Sequence, residues 1–368
     1  SSTAQHKYLL KVDDTGDYIK MKKLILIVIL TLLWNCERNK NSLSPYGEND
    51  FAFAIYFLQD ENLKMKDVYN KDLGQLKLSS TPWLCEMDIR FYDWSSHCIY
   101  LKKDKTHFFP NWENNKFNEF PPGWADKPFI VTANGKRCYM GYLFNVLSHY
   151  WRAPVIWDFD NSRTYPSDVL FIDWMWLYHD YPQNHSDVKN ALIKAGIYHG
   201  GISVTFDTTD VNTLSMIENG DTSTISYKFT ITNNDEDDLY VIDPDKSDSD
   251  MFHWFTNGPV FKNLETGTLY ESRWKTTAFL PSVDYWTPDW FTKVKSGQSI
   301  KRTVILKGYP HFPTGEYLFE FRYNGQSRGM EKKVRELTDG RYWFGPTRSN
   351  ILVWNFNLLQ IPTKKRIK

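Results

Sequence analysis

The stretch Ile225–Asp235, ISYKFTITNND, decides the fold. Ile225, Tyr227, Phe229 and Ile231 alternate with Ser226, Lys228, Thr230 and Thr232. A period of two puts the apolar side chains on one face and the polar ones on the other, which is a half-buried β-strand. Asn233, Asn234 and the acidic residues behind them then turn the chain. The same habit returns downstream in LYVIDP (239–244), TGTLYES (266–272), SIKRTVILKG (299–308), GEYLFEFRYNG (315–325) and SNILVWNF (349–356). Short strands with turn signals between them predict an antiparallel β-sandwich over 216–358. The last ten residues, 359–368, are a basic, solvated tail.

Upstream the texture is mixed. FAFAIYFL (51–58) is an apolar run of strand length. Thr81 followed by Pro82 predicts a helix start, with Thr81 as cap and Pro82 in the first turn. His97–Leu101 reads as the next strand. PFIVTANGKRCYM (128–140) is the clearest hairpin, because Asn134-Gly135 supplies the two left-handed residues of a type I′ turn. PSDVLFIDWMWLYHDYP (166–182) mixes apolar and aromatic residues and is expected to cover the sheet. Residues 51–185 thus form a small α+β domain, and the whole chain is α+β and β-rich. Residues 186–215 connect it to the sandwich through a helix and a strand. Ser186 is the expected helix cap, Asp187 suits the positive N-terminal end, and Val188, Leu192 and Ala195 share one face. Gly196 ends the helix.

Near the beginning, MKKLILIVILTLLWNC spans Met21–Cys36. Lys22 and Lys23 precede an apolar run from Leu24 to Trp34, too short to span a bilayer, which needs about 20 residues. That is the layout of a secretory signal. The closing cysteine makes it resemble a bacterial lipoprotein signal, which implies a lipid on Cys36 and a location in the cell envelope, on the periplasmic or outer-membrane face. Trp34 and Asn35 depart from the small residues usual before such a cysteine. On this reading residues 1–20 are an upstream extension outside the fold, 21–35 the signal, and 36–50 a polar tether.

Lys plus Arg and Asp plus Glu number 44 each, so no overall field attracts nucleic acid. With Cys36 lipidated, Cys85, Cys98 and Cys138 remain, an odd number. Buried free thiols are favoured over one disulfide; Cys98 and Cys138 both fall in expected strands and could be neighbours, but spacing does not fix the pairing. Zinc-hydrolase, nucleophile-elbow, Walker and dinucleotide motifs are all absent. Ser95, Ser96, His97 and Cys98 are adjacent on one segment, so they alternate faces and do not form a triad. His179 and His185 flank Asp180 and are better read as solvated than as metal ligands.

Two constellations remain as sites. Asp243, Asp245, Asp248 and Asp250 crowd one short loop, the kind of oxygen set Ca²⁺ takes, although the loop lacks the EF-hand glycine and glutamate. A solvated acidic turn is the plainer reading, so no cofactor is required. The chain is 17% aromatic with 15 tryptophans, and Trp254, Trp286 and Trp290 fall in loop-like segments. Flat rings on loops stack on sugars or anchor a protein partner, and also simply pack the ends of a sandwich.

The TITNND strand end (230–235), VKSGQSIKRTVIL (294–306) and PTGEYLFEFRY (313–323) resemble the immunoglobulin-like domains appended to exported bacterial proteins. Tyr317, entering its strand after Gly315, fits the tyrosine corner of such folds, so its hydroxyl is expected to bond a backbone group a few residues upstream. The rest resembles only uncharacterised envelope lipoproteins, and no catalytic residue carries over. The expected function is binding or assembly by a lipid-anchored envelope protein without catalysis. Its partners would be the membrane and a protein or glycan. The alternatives are a glycan-binding surface lipoprotein using the loop tryptophans, and a hydrolase with an unrecognised site in 51–185.

Overall fold

The computed structural model describes residues 51–102, 123–144, 148–157, 168–174, 181–206, 214–219, 221–247, 252, 258–272, 287–324 and 339–356. All of them fall within one compact unit, Gly47–Lys368. The fold is β-rich α+β, as the strand periodicity requires. Among the described residues no helix is long and apolar enough to cross a membrane.

The first half builds a nine-stranded mixed sheet. Its strands are β1 (Phe53–Phe57), β2 (Leu84–Cys85), β3 (Ile89–Asp93), β4 (Cys98–Leu101), β5 (Pro128–Ala133), β6 (Lys136–Phe144), β7 (Val155–Trp157), β8 (Val169–Asp173) and β9 (Tyr198–His199). Their order is β2-β1-β5-β6-β7-β8-β4-β3-β9. The β5–β6 hairpin forms as expected, with Asn134 at φ 48° and Gly135 at φ 76°. No helix starts at Pro82. Leu84 and Cys85 instead pair with Ile55 and Ala54 of β1, and this sheet pairing overrides the local start signal.

Period two explains how this sheet serves two cores. On β3, β4 and β8, the side chains of Phe91, Cys98, Tyr100, Val169 and Phe171 enter the same cluster as the C-terminal strands. Tyr92, Ile99, Leu101, Leu170 and Ile172 alternate with them and face the other side. There they meet Val188, Ala191 and Leu192 of the helix Ser186–Lys194. The cap of that helix is His185, not Ser186. His185 Nδ1 accepts from the Asp187 N–H at 3.2 Å, a bond a serine one residue further on cannot make. Gly196, at φ 68°, ends it.

The second half is built from β10 (Ile202–Thr205), β11 (Leu214–Asn219), β12 (Thr222–Asn233), β13 (Leu239–Ile242), β14 (Val260–Asn263), β15 (Leu269–Tyr270), β16 (Phe291–Val294) and β17 (Ser299–Tyr309). It is completed by β18 (Gly315–Glu320), β19 (Arg322–Asn324), β20 (Arg341–Tyr342), β21 (Pro346–Arg348) and β22 (Leu352–Phe356). β12, the stretch quoted first, is the spine of one sheet: β10 and β11 share one of its edges and β17 takes the other. A second sheet, β15-β14-β18-β22, packs onto it. The alternating face of β12 makes this contact, Tyr227 lying 6.0 Å from Phe319 and 5.2 Å from Phe321 between ring centroids. β16-β13-β20 closes the same core, and β19 pairs β21. The Tyr317 hydroxyl donates to the Pro313 carbonyl at 2.6 Å, four residues upstream as expected for the corner.

Candidate functional site

The site begins in the turn between β3 and β4. Asp93 Oδ1 accepts from Ser95 N, Ser95 Oγ and Ser96 N at 3.1, 2.7 and 3.1 Å, which folds Trp94–His97 into a tight bend. His97 takes φ 55°, in the left-handed region that side chains other than glycine rarely adopt. Ser95 Oγ also accepts from Ile202 N at 3.0 Å and from Trp343 Nε1 at 2.8 Å. One serine therefore ties the bend to both β10 and the segment after β20.

This bend forms one wall of a cleft of about 420 Å³. The end of β8 contributes Asp173 and Trp174, and the short 3₁₀ turn Pro182–Asn184 contributes Gln183 and Asn184. The opposite wall is Glu320 at the end of β18, Arg322 on β19, and Thr347 and Arg348 on β21. The cleft thus lies where the nine-stranded sheet meets the C-terminal strands, the kind of junction where small-molecule sites concentrate.

Its charges are matched in place. Arg322 meets both oxygens of Asp173 at 3.0 and 3.2 Å. Arg348 lies 3.4 Å from each oxygen of Glu320, donates to the Trp174 carbonyl at 2.9 Å, and stacks its guanidinium 4.8 Å over the Tyr181 ring. The Tyr181 hydroxyl donates to Glu320 at 2.9 Å. Burial, with Glu320 adding to it against the opposing effect of Arg348, pushes that phenol well above its ordinary range, so it stays protonated.

His97 is fully engaged. Its Nε2 lies 2.9 Å from Asn184 Oδ1, an acceptor, so Nε2 carries the proton and Nδ1 accepts from the Tyr92 hydroxyl at 3.0 Å. Burial pushes the imidazole down to about 4, against the weaker opposing effects of Asn184, Asp93 and Asp173, so the ring is neutral at physiological pH. Three other lining side chains carry buried polar atoms without a hydrogen-bond partner: Gln183 Oε1, Trp174 Nε1 and Ser96 Oγ. Such atoms cost about 1–3 kcal/mol each when left unmet.

Behind the cleft, Arg341 is clasped by Asp93 at 3.0 Å and Asp235 at 2.6 Å, and lies 4.8 Å over the Phe91 ring. His199 Nδ1 also bonds Asp235 at 2.9 Å. Burial alone would raise the Asp235 carboxyl, but His199 and Arg341 outweigh it and hold it well below the carboxylate range. This network joins β3, β9, the β12–β13 turn and β20.

The residues singled out from sequence stand elsewhere. Cys36, Trp254, Trp286, Asp248, Asp250, His179 and Asp180 lie outside the described residues. Trp290 closes the 3₁₀ turn Pro288–Trp290 and is half-buried against the C-terminal core. Asp243 is buried, not solvated: both its oxygens take Arg302 at 2.6 Å, and Thr292 donates to it as well. Asp245 adds a second ion pair to the same guanidinium at 3.1 Å. The two aspartates thus share an arginine that lies 59 residues beyond Asp243 in sequence. Cys85, Cys98 and Cys138 are free thiols.

Among the described residues, two groups place metal-binding side chains together, Cys138 with His185 and Asp187, and His199 with Asp235 and Asp237. In the first, Lys136 already sits on the Asp187 carboxylate, and burial pushes the Cys138 thiol up to about 11. In the second, Arg341 holds Asp235. In each group a carboxylate is thus already paired with a basic side chain. Compared with known proteins, the chain matches no family model and no curated sequence.

Sequence reading missed the cleft. In sequence Ser95, Ser96 and His97 stand only as an adjacent run that alternates faces, and the rest of the lining extends to Ile351, 256 positions after Ser95. No periodicity carries that signal.

Proposed function

We propose that this chain is a binding protein of the bacterial cell envelope, held to the membrane by a lipid on Cys36, with its ligand site in the cleft between the nine-stranded sheet and the C-terminal strands. The observation that carries the site is the set of unmet polar atoms, on Gln183, Trp174 and Ser96, along a cleft whose charged groups are paired. The compartment rests on Lys22, Lys23, the apolar run and Cys36. The C-terminal strands are read as an immunoglobulin-like sandwich, supported by the Tyr317–Pro313 bond.

A hydrolase reading is favoured by one observation: His97 and Asp173 line the same cleft. Against it, both imidazole nitrogens are occupied and both carboxylates face arginines. A general base needs a free nitrogen within reach of a substrate proton. Binding is therefore the better account.

The test has two parts. Cells fed a labelled fatty acid should label the full chain and not its Cys36→Ser variant; equal labelling refutes the anchor. A thermal-shift screen of small metabolites should give hits with the full chain that vanish in Thr347→Trp, whose indole fills the cleft. Hits that survive Thr347→Trp refute the site.

A further inference from the structure

We infer that the cleft takes a neutral, hydroxyl-rich ligand of saccharide type. This rests on the cleft being the binding site and adds the chemical class of what enters it.

Charge gives the first argument. Two guanidiniums, Arg322 and Arg348, face two carboxylates, Asp173 and Glu320, each pair in contact. The neutral His97 ring adds nothing to this balance. An anionic ligand would have to displace a carboxylate from its arginine, and a cationic one an arginine from its carboxylate. Either leaves a partly buried charge without its partner, which is strongly unfavourable. A neutral ligand leaves both pairs intact.

The unmet atoms give the second. Trp174 Nε1 is a donor only, Gln183 Oε1 is an acceptor only, and Ser96 Oγ is both. A hydroxyl group both donates and accepts, so a ligand with several hydroxyls answers all three atoms. An aliphatic or aromatic hydrocarbon answers none. These atoms are closed off within the wall, so engagement requires the Gln183 amide, the Trp174 indole and the Ser96 hydroxyl to turn toward the cleft on binding.

Shape and surface give the third. Half-buried Trp94 and Tyr181 line the cleft on the bend and beside the 3₁₀ turn, with Arg348 over one face of Tyr181 and His97 beside Trp94. Flat apolar faces beside hydrogen-bonding groups suit a sugar ring, which has an apolar C–H face and an equatorial rim of hydroxyls. At about 420 Å³ the cleft falls in the lower part of the range of small-molecule sites. A mono- or disaccharide unit fits that size better than a longer chain.

The experiment is calorimetric titration of the full-length chain with a fixed panel. It contains glucose, galactose, N-acetylglucosamine, maltose and cellobiose as neutral probes, and glucuronate, galacturonate and inorganic phosphate as anionic ones. The expected result is saturable binding of at least one neutral sugar, abolished by Thr347→Trp. Gln183→Leu should weaken it about tenfold while leaving the melting temperature unchanged or higher, because it removes an unmet buried amide. A uronate or phosphate bound more tightly than every neutral sugar, and sensitive to Thr347→Trp, overturns the ligand class while leaving the site. Neutral-sugar binding unaffected by Thr347→Trp overturns both. Absence of binding by any neutral sugar on the panel overturns the inference, and the metabolite screen then decides the site separately.

Discussion

Arg341 is the residue whose loss is most informative about how the two halves hold together. Its guanidinium is 13% exposed, and the Asp93 and Asp235 side chains it bridges are 0% exposed. Truncation by Arg341→Ala removes one positive charge and leaves two buried carboxylates facing each other. Breaking a buried pair typically costs about 3–5 kcal/mol. Asp93 retains three donors from Ser95 and Ser96, and Asp235 retains His199 and the Gly201 amide, so the lower half of that range, about 3–4 kcal/mol, is expected. That is a large part of the roughly 5–15 kcal/mol that stabilises a typical domain. Hydrogen bonding to Asp235, working against burial, raises the His199 pKa. Its stabilisation is therefore fully present below the ordinary histidine value and lost as pH rises through the raised one. With Arg341 gone, protonated His199 becomes the main countercharge, so the penalty should be smaller at pH 6 than at pH 8. Urea unfolding followed by tryptophan fluorescence at both values measures this. The triple variant Arg341→Met, Asp93→Asn, Asp235→Asn removes all three charges and should recover more than half of the loss. A single-variant loss under about 1 kcal/mol would refute the reasoning, as would a triple variant no more stable than the single one.

Three further outcomes are expected. His97 has a folded pKa of about 4, below the ordinary value of about 6.5, so the unfolded chain binds more protons between those values. Stability should fall by about 3 kcal/mol on acidification from pH 7 to pH 4 through this group alone, and His97→Asn, which tolerates the left-handed backbone, should flatten that part of the pH profile. Tyr317→Phe, which deletes the bond to Pro313, should cost about 1–2 kcal/mol in urea unfolding with no change in the circular-dichroism spectrum. Gly201→Ala should be far more damaging than an ordinary surface substitution: φ is +64°, and a Cβ there would stand 2.1 Å from Ser95 Oγ and 2.4 Å from Asp93 Oδ1. We expect a drop of more than 3 kcal/mol, or failure to accumulate folded protein, read by soluble yield and melting temperature.

What could be read from sequence was local. The alternation of β12, the Asn134-Gly135 turn, the helix ending at Gly196 and the Tyr317 corner each depend on residues within a few positions of one another. Where a distant segment intervened, the local signal failed. Thr81-Pro82 has the chemistry of a helix start, but β1 captures Leu84 and Cys85 as a strand. Asp243 and Asp245 look like a cation loop until Arg302 arrives from β17. The cleft needs the β3–β4 bend, the 3₁₀ turn before the helix, and β21 at once, and nothing in any one of them announces the other two.

The order in which these partners leave the ribosome has a consequence of its own. Phe91, Tyr100 and Phe171 are made early, yet they are buried in a core that includes Tyr342, Trp343 and Phe344. Asp93 likewise waits for Arg341, 248 positions later, to neutralise it. Until residues 341–344 are made, the nascent sheet therefore presents an uncovered aromatic face and an unpaired acid, and such surfaces invite aggregation. The core can close only once that distant segment exists, so the contacts that seal it are among the least local in the fold.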